Sequence, residues 1–144
     1  MVLTERTLRW TLAVTGAYHV VTGLLALVAP DTFFDDIGRY GIENTHYVGD
    51  VGSFILAIGF ALLIAAFRPQ WRVPILGLTA IWYGVHAVNH VFDVDEARSD
   101  ARGWLDTALL ALGSALAAYL AWASARLTGL DTAAPGSSHR RPPT

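Results

Sequence analysis

Four long runs of mostly apolar residues, divided by short charged windows, constrain this chain more than any motif in it. A helix needs roughly 20 such residues to cross the hydrocarbon core of a bilayer. The runs at about 8–29, 46–67, 73–92 and 104–127 all reach that length. The first stops at Pro30, which cannot continue a helix interior, and the second ends at Arg68-Pro69. The third starts after Trp71-Arg72, with Pro74 in the tolerated first turn. A soluble four-helix bundle would carry a polar stripe on every helix, yet Phe54–Phe67 and Leu109–Ala123 carry none. Trp10, Tyr47, Trp71, Trp104 and Trp122 fall near span ends, where amphipathic rings favour the headgroup level. A cleaved signal peptide fits the first run poorly. That run exceeds the usual apolar core, and Leu27-Val28-Ala29 before proline is a poor cleavage site.

The expected fold class is therefore all-α. Residues 1–127 form an integral membrane four-helix bundle, and the short connections favour an antiparallel up-down-up-down order. Residues 128–144, rich in Ala, Pro, Ser and Gly, read as a disordered cytoplasmic tail. Only 15% of residues are charged, against about a quarter in soluble domains. The lipid bilayer is thus the first expected partner. A net charge of −2 without a dense basic patch argues against nucleic acid. The lack of cysteine excludes thiolate zinc sites and cysteine-held iron–sulfur clusters.

Orientation follows from the arginines, the chain having no lysine. Arg6, Arg9, Arg68, Arg72, Arg126, Arg140 and Arg141 lie on one side of the four spans, against Arg39, Arg98 and Arg102 on the other. The positive-inside rule then puts both termini in the cytoplasm of a multi-pass cytoplasmic (inner) membrane protein. Asp31, Asp35, Asp36, Glu43, Asp93, Asp95, Glu96 and Asp100 make the outer connections acidic. Small residues recur within the spans: Gly16 and Gly23, Gly52 and Gly59, Gly77 and Gly84, Gly113 and Ala117. Helix association in lipid depends on such close approach, and the same faces would support a homodimer or a membrane partner subunit.

Ionisable side chains within spans are expensive and face the bundle interior or a water-filled cavity. Here they are His19, His46, Asp50, His86, His90 and Asp106. His46 and Asp50 are four residues apart, as are His86 and His90, so each pair shares a helix face. At about 1.5 Å per residue, His86 lies roughly 10 Å below the outer end of its helix, Asp50 about 6 Å and His19 roughly 15 Å. The expectation is a polar pocket in the outer half of the bundle, with His19 as its floor.

Several readings of that pocket stand side by side. As a metal site, His19, His46, His86 and His90, with Asp50 and Asp106, would hold a divalent transition metal through nitrogen and oxygen. As a b-type haem site, His19 and His86 would be the axial pair. A small redox or lipid-like ligand is a further occupant. The alternative is a non-catalytic subunit or structural protein whose His–Asp pairs only fix helix packing. Tyr83, one turn before His86, and Tyr18 are candidate hydrogen-bonding groups, whereas Thr15 and Thr22 are expected to bond back to the helix. No phosphate loop, dinucleotide fingerprint or nucleophile elbow is present, so no enzymatic class is indicated.

The run His46-Tyr-Val-Gly-Asp50-Val-Gly52, with Arg68-Pro69-Gln-Trp71-Arg72 after the following span, resembles a group of small actinobacterial four-span membrane proteins that are loosely DoxX-like. The resemblance covers the first three spans and extends to His86 and His90. It departs from the pattern at Gly49, where an arginine is common. It implies the fold and the membrane location, and little chemistry.

Overall fold

The structure is a computed structural model that describes residues 4–127 and 129. The tail expectation for 128–144 falls almost wholly outside those residues. The described chain is all-α. Helix α1 covers Glu5–Val28, α2 Pro30–Asp36, α3 Thr45–Phe67, α4 Arg72–Phe92 and α5 Asp100–Leu127. All but α2 are long and apolar enough to cross a membrane. Their outer faces invert the pattern of a soluble protein: Val14, Val21, Ile81, Val85 and Leu112 are each 66–67% exposed. Exposed apolar surface on this scale is stable only against lipid or another apolar partner.

The helices associate mainly as two pairs, α1 with α3 and α4 with α5. Glycine makes the first pair. Gly16 and Gly23 on α1, and Gly52 and Gly59 on α3, repeat at seven residues, which is two helical turns and so one face. A Cβ on Gly23 would sit 2.6 Å from the backbone nitrogen of Leu56 and 2.8 Å from the Gly52 carbonyl oxygen. One on Gly59 would sit 2.7 Å from the Val20 nitrogen and 3.0 Å from the Gly16 oxygen. Residue 16 thus faces 59–63 while residue 23 faces 52–56, so α1 and α3 run antiparallel with their backbones in contact. Such proximity replaces the hydrophobic drive that lipid does not provide. By contrast, Gly77 faces open space.

Two apolar clusters flank this seam. Leu8, Leu12, Ile58, Leu62, Leu76 and Leu120 form one, at the end where α1 begins. The other joins Ala26, Val48 and Ile55 to Phe33 and Phe34 of α2. Helix α2 is an addition to the sequence reading, which described this stretch only as part of an acidic outer connection. Pro30 opens it with Asp31 in its first turn, and its two phenylalanines roof the second cluster.

At the opposite end one buried cation ties three helices. Arg72 is 1% exposed and forms a fork with Glu5, Nη1 to Oε2 at 2.6 Å and Nη2 to Oε1 at 2.7 Å. Its Nε donates to the Ala65 carbonyl at 3.0 Å and Nη2 to that of Ala66 at 3.2 Å. Those carbonyls belong to the last turn of α3, where helical partners run out. The side chain counted at the sequence level as one inward positive charge is thus a C-terminal cap as well.

Gly23→Leu is expected to destabilise the protein by about 3 kcal/mol, the upper range for overpacking, since the clash is with backbone. Gly77→Ala should be neutral or stabilising by up to about 1 kcal/mol, from helix propensity alone. Chemical unfolding in detergent, followed by circular dichroism, measures both.

Candidate functional site

The inward face of α4 carries the site. Arg72, Leu76, Thr79, Tyr83, His86 and His90 recur at alternating spacings of four and three, which keeps them on one stripe of a helix. The sequence reading singled out the last three without joining them to Thr79 and Arg72. The spacing was the signal available to do so.

His19 faces this stripe because it lies on the same side of α1 as Gly16 and Gly23, and it is 2% exposed. Its Nδ1 is 2.7 Å from the Thr15 carbonyl oxygen, and its Nε2 is 2.8 Å from the Tyr83 hydroxyl. A carbonyl only accepts, so Nδ1 carries the proton and donates. In a neutral imidazole Nε2 is then the acceptor, and Tyr83 donates to it. The rings of Tyr18, Trp82 and Tyr83 surround the imidazole at centroid distances of 5.5, 6.4 and 5.9 Å. None of these partners is anionic, which suits an uncharged ring in an apolar setting.

Beside this pair lies a half-open cavity of about 210 Å³. Its walls are mainly Leu12, Leu62, Leu76, Leu109, Leu116 and Leu120, with Gly113 and Ala117 from α5. Thr15, Tyr18, His19, Thr79 and Tyr83 bring the polar atoms. The cavity exists because α1 and α5 barely touch while each is held tightly to another helix. Gly113 and Ala117 add little volume on the α5 side.

A second polar group lies nearer the outer end. His86 Nε2 and His90 Nε2 are 3.0 Å apart, and the Nδ1 atoms of both are buried without a partner. The Tyr40 ring covers His90, with centroids 4.3 Å apart, and its hydroxyl donates to Asp106 Oδ2 at 3.4 Å. Asp106 also accepts from Arg102 Nε at 2.9 Å. Tyr40 is held there by the outer connections. The Gly41 N–H donates to the Glu96 carbonyl at 3.1 Å, Tyr40 bridges to Ala97, and Arg98 donates to the Asp35 carbonyl at 2.6 Å.

The remaining sequence candidates lie elsewhere. His46 and Asp50 are 3.6 Å apart on the outward face of α3, with side chains 80% and 67% exposed. At 100° per residue they are about 170° round the helix from the buried face of Val48, Gly52, Ile55 and Gly59. The glycine seam chose that face and turned them away. Asp106 falls in the second turn of α5, which starts at Asp100. There Ser99 Oγ accepts from the Arg102 N–H at 3.3 Å. Asn89 donates to Asp93, the C-cap residue of α4, at 2.7 Å. Thr22 bonds back to the Tyr18 carbonyl at 2.9 Å, as expected. The six candidates are therefore dispersed: His46 with Asp50 and His86 with His90 form two pairs, while His19 and Asp106 bond to residues outside the set. Among the described residues, no three or more His, Asp or Glu side chains come together as a metal-holding group. Of the pair proposed for a haem, His19 has its Nε2 held at 2.8 Å by the Tyr83 hydroxyl and His86 has its Nε2 3.0 Å from His90.

A model of the family described as "Domain of unknown function (DUF4345)" matches residues 7–93, more than half of the chain. The chain belongs to the DUF4345 family. The matched stretch carries the four seam glycines, His19, Arg72, Tyr83, His86 and His90, and it ends before α5. No curated protein and no solved structure matches the chain. The family match brings no support for the DoxX-like part of the resemblance, and what this DUF4345 protein does rests on the geometry above.

Burial holds the Tyr40 phenol up at about 12, with the Asp106 carboxylate adding to the effect. A folded-state value above the ordinary one of about 10 means that the folded protein keeps this proton longer than the unfolded chain. The associated stability is complete below pH ~10 and is lost as pH rises towards ~12. Unfolding measured across that interval should show a loss that Tyr40→Phe makes shallower.

Proposed function

We propose that this DUF4345 protein spans the cytoplasmic membrane as an up-down-up-down bundle with both termini inside, and that it binds a small apolar molecule taken from the bilayer. The supporting observation is the half-open cavity at the α1/α5 seam, with its single hydrogen-bonded His19–Tyr83 pair. Size narrows the occupant. At about 210 Å³ the space exceeds the ~150 Å³ that admits benzene and falls short of the ~300 Å³ at which drug-sized pockets begin. A single substituted ring fits that interval. The loosely packed α1/α5 seam offers a lateral entrance from lipid, and the arginine-rich end around Glu5 and Arg72 sets the orientation.

Propylbenzene is the probe for this reading. It should raise the melting temperature of the detergent-purified protein, and Gly113→Leu or Ala117→Leu should abolish that shift by filling the space. Equal shifts in wild type and both filled variants would assign the effect to the micelle and sink the reading.

A second reading keeps part of the metal expectation on a different observation. The 3.0 Å separation of His86 Nε2 and His90 Nε2 is a chelate bite. With metal–nitrogen bonds of about 2.0–2.1 Å it corresponds to an angle at the metal of about 95°. That suits the right angles of Cu(II) or Ni(II) better than the roughly 109° of tetrahedral zinc. The buried hydrogen-bonded pair is the competing account of the same geometry. Cu(II) titrated into the purified protein should bind with a stoichiometry near one that His86→Ala/His90→Ala removes. Identical uptake by the double variant leaves only the hydrogen-bonded pair.

A further inference from the structure

We infer that the cavity selects, among small apolar molecules, those that bring a hydroxyl donor, with a phenol as the fitting class. This inference rests on the pocket reading above and adds to it the chemistry of recognition. It starts from the proton inventory of the wall. Thr15 places a carbonyl 2.7 Å from His19 Nδ1, which fixes the ring proton on that nitrogen. Nε2 is left as an acceptor, and the Tyr83 hydroxyl, 2.8 Å away, spends its only proton there. A phenolic oxygen whose proton is committed offers lone pairs alone.

Thr79 is committed in the same way. Its Oγ donates to the Ile75 carbonyl at 2.8 Å, so it too presents only lone pairs to the cavity it lines. Tyr83 and Thr79 are one turn apart on the same face of α4, so both acceptors belong to one wall. The Thr15 and Tyr18 hydroxyls, which also line the cavity, can each rotate to donate or accept and discriminate between neither kind of ligand, so selection falls to the α4 wall. A ligand oxygen that can only accept, such as an ether, therefore meets two acceptors that it cannot pair with. A ligand hydroxyl donates to either of them. Burial without a partner is what makes the distinction matter.

The test compares 4-propylphenol with 4-propylanisole, which differ by replacement of the hydroxyl proton with a methyl group. Affinities are measured by calorimetric titration of the full chain in detergent, for wild type and Tyr83→Phe. Taking the phenol-to-anisole ratio in each protein, and then the ratio of those ratios, cancels partition into micelles. Wild type should favour the phenol about twofold to tenfold, the range of one net neutral hydrogen bond. In Tyr83→Phe the preference should fall towards that of Thr79 alone. His19→Leu provides a second variant: it frees the Tyr83 proton to donate, so the ratio should shift towards the anisole. If both probes bind wild type with the ratio unchanged in either variant, the donor requirement is wrong and the pocket stands. If neither probe binds, both readings fall.

Discussion

Backbone contact between α1 and α3 is the constraint on which the other features depend. Four glycines at intervals of seven let these helices meet with carbonyl oxygens and amide nitrogens where Cβ atoms would otherwise stand. In lipid, where apolar side chains gain nothing by leaving the solvent, contact at this distance holds two spans together. It also sets rotation. Once the glycine faces are joined, His19 must point into the bundle, and His46 with Asp50 must point out of it. The cavity is a consequence of the same arrangement. Helices held as tight pairs leave a looser seam between the pairs, and small residues on α5 keep it open.

Helix α4 distributes polarity along that seam. At one end Arg72 closes the last turn of α3 and pairs with Glu5. Midway, Tyr83 satisfies the buried imidazole of His19, and the unused lone pairs of Tyr83 and Thr79 give an otherwise hydrocarbon cavity a chemical sign. Near the outer end the His86–His90 pair sits beneath Tyr40 and the connections that hold it. Arg72, Thr79 and Tyr83 on the stripe each have a different partner, while His86 and His90 have each other. Several titratable groups therefore fit into one bundle without forming a single cluster.

Much of this architecture was legible from residue order. The four spans follow from apolar runs whose ends are marked by Pro30, Arg68-Pro69 and Trp71-Arg72. The seam glycines stood out as small residues, and His19, Tyr83, His86 and His90 stood out as polar groups at membrane depth. The convergence drawn from them was too generous. Depth along a helix can be counted from the sequence, but rotation about the axis depends on which face a neighbour accepts. His46 and Asp50 have the right height and the wrong side. Helix α2 was missed because Pro30–Asp36 reads as an acidic loop until Phe33 and Phe34 find a surface to cover.

Residue order alone therefore determined that the chain is helical, that four of its helices suit a bilayer, and which polar side chains lie deep in them. These follow from properties each segment carries by itself: length, apolarity and the cost of a buried charge. Pairing was decided by tertiary structure. Which histidine meets which tyrosine, which carbonyls Arg72 caps, and where a cavity remains all depend on the meeting of faces from distant segments. The seven-residue glycine repeats become a direction in space only when a partner helix closes on them, and the proton of Tyr83 is committed only when His19 lies 2.8 Å away.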